Sequence, residues 1–75
     1  LSWEIKRPKA NSKYTIPHAF KSALRQSPNI IFDLRNSKLH QEQALNRLER
    51  EFKLSKGVIR LKVILKSQEI IDFTK

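Results

Sequence analysis

The sequence contains no cysteine and no methionine, a single glycine, and only six aromatic residues among 75. Without cysteine the chain has no disulfide framework and no thiolate zinc site, and its redox compartment is left open. No apolar run approaches the roughly 18 residues that a membrane-spanning helix needs. No signal peptide, internal repeat or low-complexity tract is visible. A chain that starts Leu1-Ser2 reads as a piece of a longer protein, its C-terminal end. Acidic residues are scarce too, with seven Asp/Glu against sixteen Lys/Arg and a net charge of +9. That excess suits a polyanionic partner, nucleic acid or an acidic protein. Leu, Ile, Val and Phe make up 23 of the 75 residues, above the roughly 20% below which a chain stays disordered. One folded domain is expected, with a small core.

Ser2 to Arg7 alternates apolar and charged side chains before Pro8, as a half-buried strand does. Strand parity then places Trp3 and Ile5 toward the core. Pro8 to Lys13 is polar and basic, hence a loop. Thr15 is positioned to cap a helix with Pro17 in its first turn. Ile16, Phe20, Ala23, Leu24 and Ser27 fall on one face of it, and Pro28 ends it. Asn29 to Arg35 opens with a nearly continuous apolar run, the pattern of a central strand covered on both faces. Ser37 is a candidate cap for a second helix. Leu45, Leu48 and Phe52 form its stripe, and Gly57 terminates it. Val58 to Leu65 reads as a strand with Ile59, Leu61, Val63 and Leu65 inward. A turn near Ser67-Gln68 joins it to a last strand, Glu69 to Phe73, as a hairpin. The expectation is an α/β domain spanning 1–75, a three-layer fragment with a mixed sheet and the order β-α-β-α-β-β.

Charge is uneven along the chain. Residues 1–28 carry six Lys/Arg against Glu4 alone, a balance of +5, whereas 29–57 and 58–75 each carry +2. Lys9 and Lys13 stand among Ser12 and Thr15, neutral donors of the kind that backbone-directed phosphate binding uses. Arg25, in the last turn of the first helix, can reach phosphate or simply complement the helix dipole. Asp33 pairs with Arg35 or a helix end, or serves a site at the strand's end.

The sharpest chemical feature is Glu4-Ile5-Lys6. Residues i and i+2 of a strand share a face, so the carboxylate and the ammonium project together. Metal-assisted phosphodiester cleavage uses such a pair. The carboxylate helps hold a hard divalent cation, and the lysine stabilises developing charge or positions water. An exposed Glu-x-Lys is equally an ordinary ion pair. What sets this one apart is its setting, with a basic loop, a helix and a buried strand following in turn. A Glu-x-Lys strand, a helix and a strand form the second half of the PD-(D/E)xK nuclease core.

Trp3 to Lys9, Ser12-Lys13, Ile16, Phe20 to Gln26 and Asn29 to Leu34 resemble the C-terminal tRNase domain of CdiA toxins of contact-dependent growth inhibition. The likeness extends to Val63 and to Glu69 to Phe73. It implies a secreted or cell-surface-delivered toxin that acts in the bacterial cytoplasm, cleaves tRNA with a divalent metal (Mg or Zn), and is neutralised by an immunity protein. By position, Glu4 becomes the metal-binding carboxylate and Lys6 the catalytic lysine. Lys9, Ser12, Lys13, Thr15 and Arg25 are the candidates for RNA binding. The resemblance also asks for an aspartate on a preceding strand, which residues upstream of Leu1 or a second chain would supply. The chain is then the C-terminal part of a larger nuclease domain. Two other readings stand beside this one. A metal-independent RNase toxin of the barnase, EndoU, colicin or RelE kind would use His18 as general acid or base. A non-catalytic basic module would bind nucleic acid without cutting it.

Overall fold

The apolar run Ile30-Ile31-Phe32 sits at the middle of the sheet because it has partners on both sides. A computed structural model describes residues 2–9 and 14–75. The elements are β1 (Glu4–Lys6), α1 (Thr15–Leu24), β2 (Asn29–Asp33), α2 (Gln41–Leu54), β3 (Arg60–Ile64) and β4 (Ile70–Thr74). The sheet order is β1-β2-β3-β4. β2 runs parallel to both β1 and β3, and β4 closes the sheet antiparallel to β3. The mixed sheet, the order of elements and the terminal hairpin agree with the sequence reading.

The layering differs. Ile30 and Phe32 on β2 pair with Leu61 and Val63 on β3, so all four share one face. Ile16, Phe20 and Ala23 of α1 and Ala44, Leu48 and Phe52 of α2 join them in a single core. The Phe20 and Phe32 rings stack with centroids 6.1 Å apart. Both helices therefore cover the same face, and the described residues form two layers rather than three. The cause is topological. Parallel crossovers are right-handed, and two that step the same way across a sheet leave their helices on the same side. The opposite face carries Ile5, exposed to 44%, with Ile31 and Lys62 beside it. Trp3 lies on that side too, its ring 5.6 Å from the Lys62 ammonium. Trp3 and Ile5 thus point away from the main core, opposite to the parity their hydrophobicity suggests.

Local signals fared unevenly. Thr15 is the first helical residue rather than the cap; Tyr14 takes that place in helical backbone, with no side-chain capping bond. α2 is preceded by His40 in extended backbone, while the Ser37 Oγ accepts the Leu39 N–H at 3.0 Å and closes the turn before it. α2 ends at Leu54, capped by Ser55, and Gly57 has no positive φ. The inward alternation expected of β3 fails at Ile59, 52% exposed, while Val58 is buried. The strand begins only at Arg60, and the Pro28 carbonyl takes the Ile59 N–H instead at 2.8 Å.

The β3–β4 hairpin closes with a Leu65–Gln68 turn, in which the Gln68 N–H reaches the Leu65 carbonyl at 2.9 Å. Gln68, the last residue of that turn, has a φ of 73°, left-handed backbone that glycine adopts without steric cost. Gln68→Gly is expected to stabilise the domain by about 0.5–1 kcal/mol, glycine's own entropy offsetting part of the relief. Urea unfolding should show a higher midpoint at unchanged slope; a lower midpoint would contradict the strain.

Candidate functional site

Glu4 and Lys6 occupy a strand of three residues, too short to hold itself in place. Its start is tied down from the α1–β2 connection. The buried Ser27 Oγ and Asn29 Nδ2 both donate to the Ser2 carbonyl, at 2.8 and 3.2 Å. The strand pairs Glu4 with Ile30 and Lys6 with Phe32, which sets both charged residues on the helix-covered face.

There the Lys6 Nζ lies 3.5 Å from Glu4 Oε2 and donates to Ser22 Oγ of α1 at 3.2 Å. The two charged side chains are 23% and 25% exposed, so they are partly desolvated yet reachable. A lysine stem lying along an apolar face with its ammonium at the margin is the usual compromise for such a position. Here the ammonium is oriented by an acid on its own strand and a hydroxyl on the neighbouring helix.

One residue past Lys6, Arg7 reaches across to β2. Asp33, 4% exposed, receives Arg35 as a two-pronged fork, Nε to Oδ1 at 2.9 Å and Nη2 to Oδ2 at 2.8 Å. The Arg35 backbone N–H adds a third bond at 3.1 Å, and the Arg7 Nε stands 3.6 Å from Oδ2. The Arg35 hydrogen bond is the main reason the Asp33 carboxyl titrates at about 2, below its ordinary 3.8.

The remaining predicted site residues are spread out. Lys9 is exposed in the segment after β1. Ser12 and Lys13 lie outside the described residues. Thr15 begins α1, and Arg25 caps its far end. At 1.5 Å per residue those two are about 15 Å apart along the helix, so a single phosphate cannot engage both. Ser22, between them, was invisible in the sequence; only the crossover of α1 over β1 brings it to Lys6. His18 stacks against Tyr14, with ring centroids 5.9 Å apart. It faces a groove of about 350 Å³ between the helices, whose lining includes neither Glu4 nor Lys6.

A catalytic zinc takes three protein ligands, and no group of three His, Cys, Asp or Glu gathers among the described residues. Asp33 does not complete a set with Glu4, because strand parity turns it to the other face and its arginines occupy it. Magnesium is commonly held by one or two carboxylates together with substrate phosphates. Glu4 alone fits that lesser requirement.

The family model for the contact-dependent growth inhibition CdiA C-terminal domain matches residues 1–70. No curated protein and no solved structure matches the chain. Among the described residues no helix is long and apolar enough to cross a membrane.

The depressed Asp33 carboxyl makes stability pH-dependent. Because the folded state holds its proton less tightly than the unfolded chain, the stabilisation is complete above about pH 4 and is lost as pH falls towards about 2. Thermal melts between pH 2 and 6 should show that decline, and Asp33→Asn should flatten it. An identical acid profile in the variant would assign the pH dependence to other groups.

Proposed function

The chain belongs to the CdiA C-terminal domain family of contact-dependent growth inhibition, and we propose that this toxin domain is a metal-assisted ribonuclease acting on tRNA. The observation that carries the reading is the convergence of Glu4, Lys6 and Ser22 in one partly desolvated spot, all three within residues 1–28, the most basic stretch of the chain. The PD-(D/E)xK arrangement supplies the chemical logic, with Glu4 as metal-binding carboxylate and Lys6 as catalytic lysine. An immunity protein is the partner such a toxin requires.

Glu4 would hold a magnesium ion, which when bound would supply Lewis-acid polarisation of the scissile phosphate. Lys6 presents an ammonium whose direction is already fixed, so it can stabilise negative charge building on a phosphate oxygen with little reorganisation. Ser22 does not touch the substrate in this scheme; it holds Lys6 in position. Lys9, Ser12, Lys13 and Thr15, in and beside the basic sequence that follows β1, bind the RNA backbone and set its register. Arg25 serves a phosphate further along, given its distance from Thr15. His18 stands apart from this set, packed on Tyr14, and is not assigned a part in the reaction.

Glu4→Gln and Lys6→Ala should each abolish tRNA cleavage while leaving the circular dichroism spectrum and thermal melt close to those of the parent. EDTA should stop the reaction and added Mg²⁺ restore it. Full cleavage by both variants would sink the assignment. Cleavage that survives both EDTA and Glu4→Gln would instead point to metal-independent chemistry.

Ser22→Ala should lower the cleavage rate roughly tenfold with little change in RNA affinity, as the loss of a supporting hydrogen bond does at other catalytic centres. A drop in affinity with an unchanged rate would place Ser22 in substrate binding instead.

A further inference from the structure

Asp33 needs one cation, and it has two. Arg35 alone satisfies the carboxylate, through both side-chain prongs and its own backbone N–H. Arg7 is brought to the same Oδ2 atom, and among the described residues no second acid pairs with it. A buried carboxylate that merely required neutralising would not explain the extra guanidinium, which like-charge repulsion should push away.

We propose that Arg7 and Arg35, aligned by Asp33, form a phosphate clamp for the RNA backbone at the carboxyl ends of β1 and β2. This rests on the ribonucleic-acid reading above and assigns it a second contact point, distinct from Glu4 and Lys6. Three observations carry it. The guanidiniums sit side by side because both reach one oxygen, Arg35 at 2.8 Å and Arg7 at 3.6 Å. Their outer edges are free for a ligand, since the side chains are 62% and 49% exposed while the carboxylate between them is 5% exposed. Finally, both arginines stand just past the carboxyl ends of adjacent parallel strands, β1 ending at Lys6 and β2 at Asp33, so one backbone segment can meet both.

The chemistry favours a phosphodiester. Guanidinium forks match the paired oxygens of phosphate, and two of them against one acid leave a net positive charge facing outward. Asp33 acts as a positioning residue. By holding one edge of Arg35 and the Nε of Arg7, it removes rotamer freedom that binding would otherwise have to quench.

The test measures binding of labelled tRNA by the full chain across a range of salt, in a Glu4→Gln background so that no cleavage intervenes. Arg7→Gln and Arg35→Lys should each weaken binding roughly three- to tenfold, and Arg7→Gln should reduce the salt slope by about 0.7–0.9, the value of one phosphate contact. Arg50→Gln, an equal loss of charge on the exposed face of α2, should change neither by comparable amounts. Asp33→Asn separates positioning from simple charge. It removes a negative charge, so tighter binding is the electrostatic expectation, whereas loss of alignment weakens it. Equal effects from Arg7→Gln and Arg50→Gln, or tighter binding by a folded Asp33→Asn, would overturn the clamp while leaving the ribonuclease reading intact. If the chain binds no tRNA even at low salt, the RNA reading itself fails and the clamp fails with it. Arg7 is mostly exposed, so its variant should fold even if those at positions 33 and 35 do not.

Discussion

The candidate site at Glu4 and Lys6 depends on how β2 grips β1. A strand of three residues offers only a short ladder, and its side chains would wander if the ladder were its only restraint. β2 holds it at both ends with polar side chains. Ser27 and Asn29, where the chain enters β2, take the Ser2 carbonyl. Asp33, where β2 ends, draws in Arg7. Between these clamps the register puts Glu4 beside Ile30 and Lys6 beside Phe32. Buried polar groups must find partners, and here the partners they find are the two ends of the strand that carries the candidate site.

The consequence is that charge is placed on the covered face. Lys6 lies at the margin of the core formed by α1 and β2, and its ammonium meets a helix hydroxyl rather than bulk water. In water such an ammonium would sample many rotamers and be screened by salt. At a partly desolvated margin it is held in one direction, and its field falls on whatever approaches the end of β1. The open face receives the apolar remainder, with Ile5 exposed and Trp3 covering part of Lys62.

Much of this was legible in the sequence because it is local. The pairing of Glu4 with Lys6 follows from strand geometry alone, and the order of elements follows from periodicity and the positions of Pro8, Pro28 and Gly57. The i to i+4 pairs Arg47–Glu51 and Glu49–Lys53 match the mixed charge read on α2. What could not be read depends on the sheet as a whole. Which parity of Trp3 to Arg7 faces the helices is decided by the crossovers, and hydrophobicity pointed the wrong way. Ser22 reaches Lys6 only because α1 runs back across β1. Likewise the meeting of Arg7 with Asp33, 26 positions apart, needs the β1–β2 register. Gly57 marked the end of α2 correctly to within a few residues but for another reason, since it adopts no left-handed backbone.

The charge balance of +9 describes a molecule attracted to polyanions without saying where, and the fold turns that excess into a division of labour. Two carboxylates lie in the β1–β2 region, and they are not equivalent. Asp33 is occupied by two arginines and titrates at about 2, so it is committed to structure and alignment across the neutral pH range. Glu4 shares a single oxygen with Lys6 at 3.5 Å, which leaves it the looser of the two and the one with ligand capacity to spare. In the proposed reading, a metal-dependent step falls on Glu4, and the surrounding cations are left to orient the substrate. Removing Asp33 and removing Glu4 are thus chemically different acts. One disturbs where the positive charges stand; the other removes the carboxylate that Lys6 faces on its own strand.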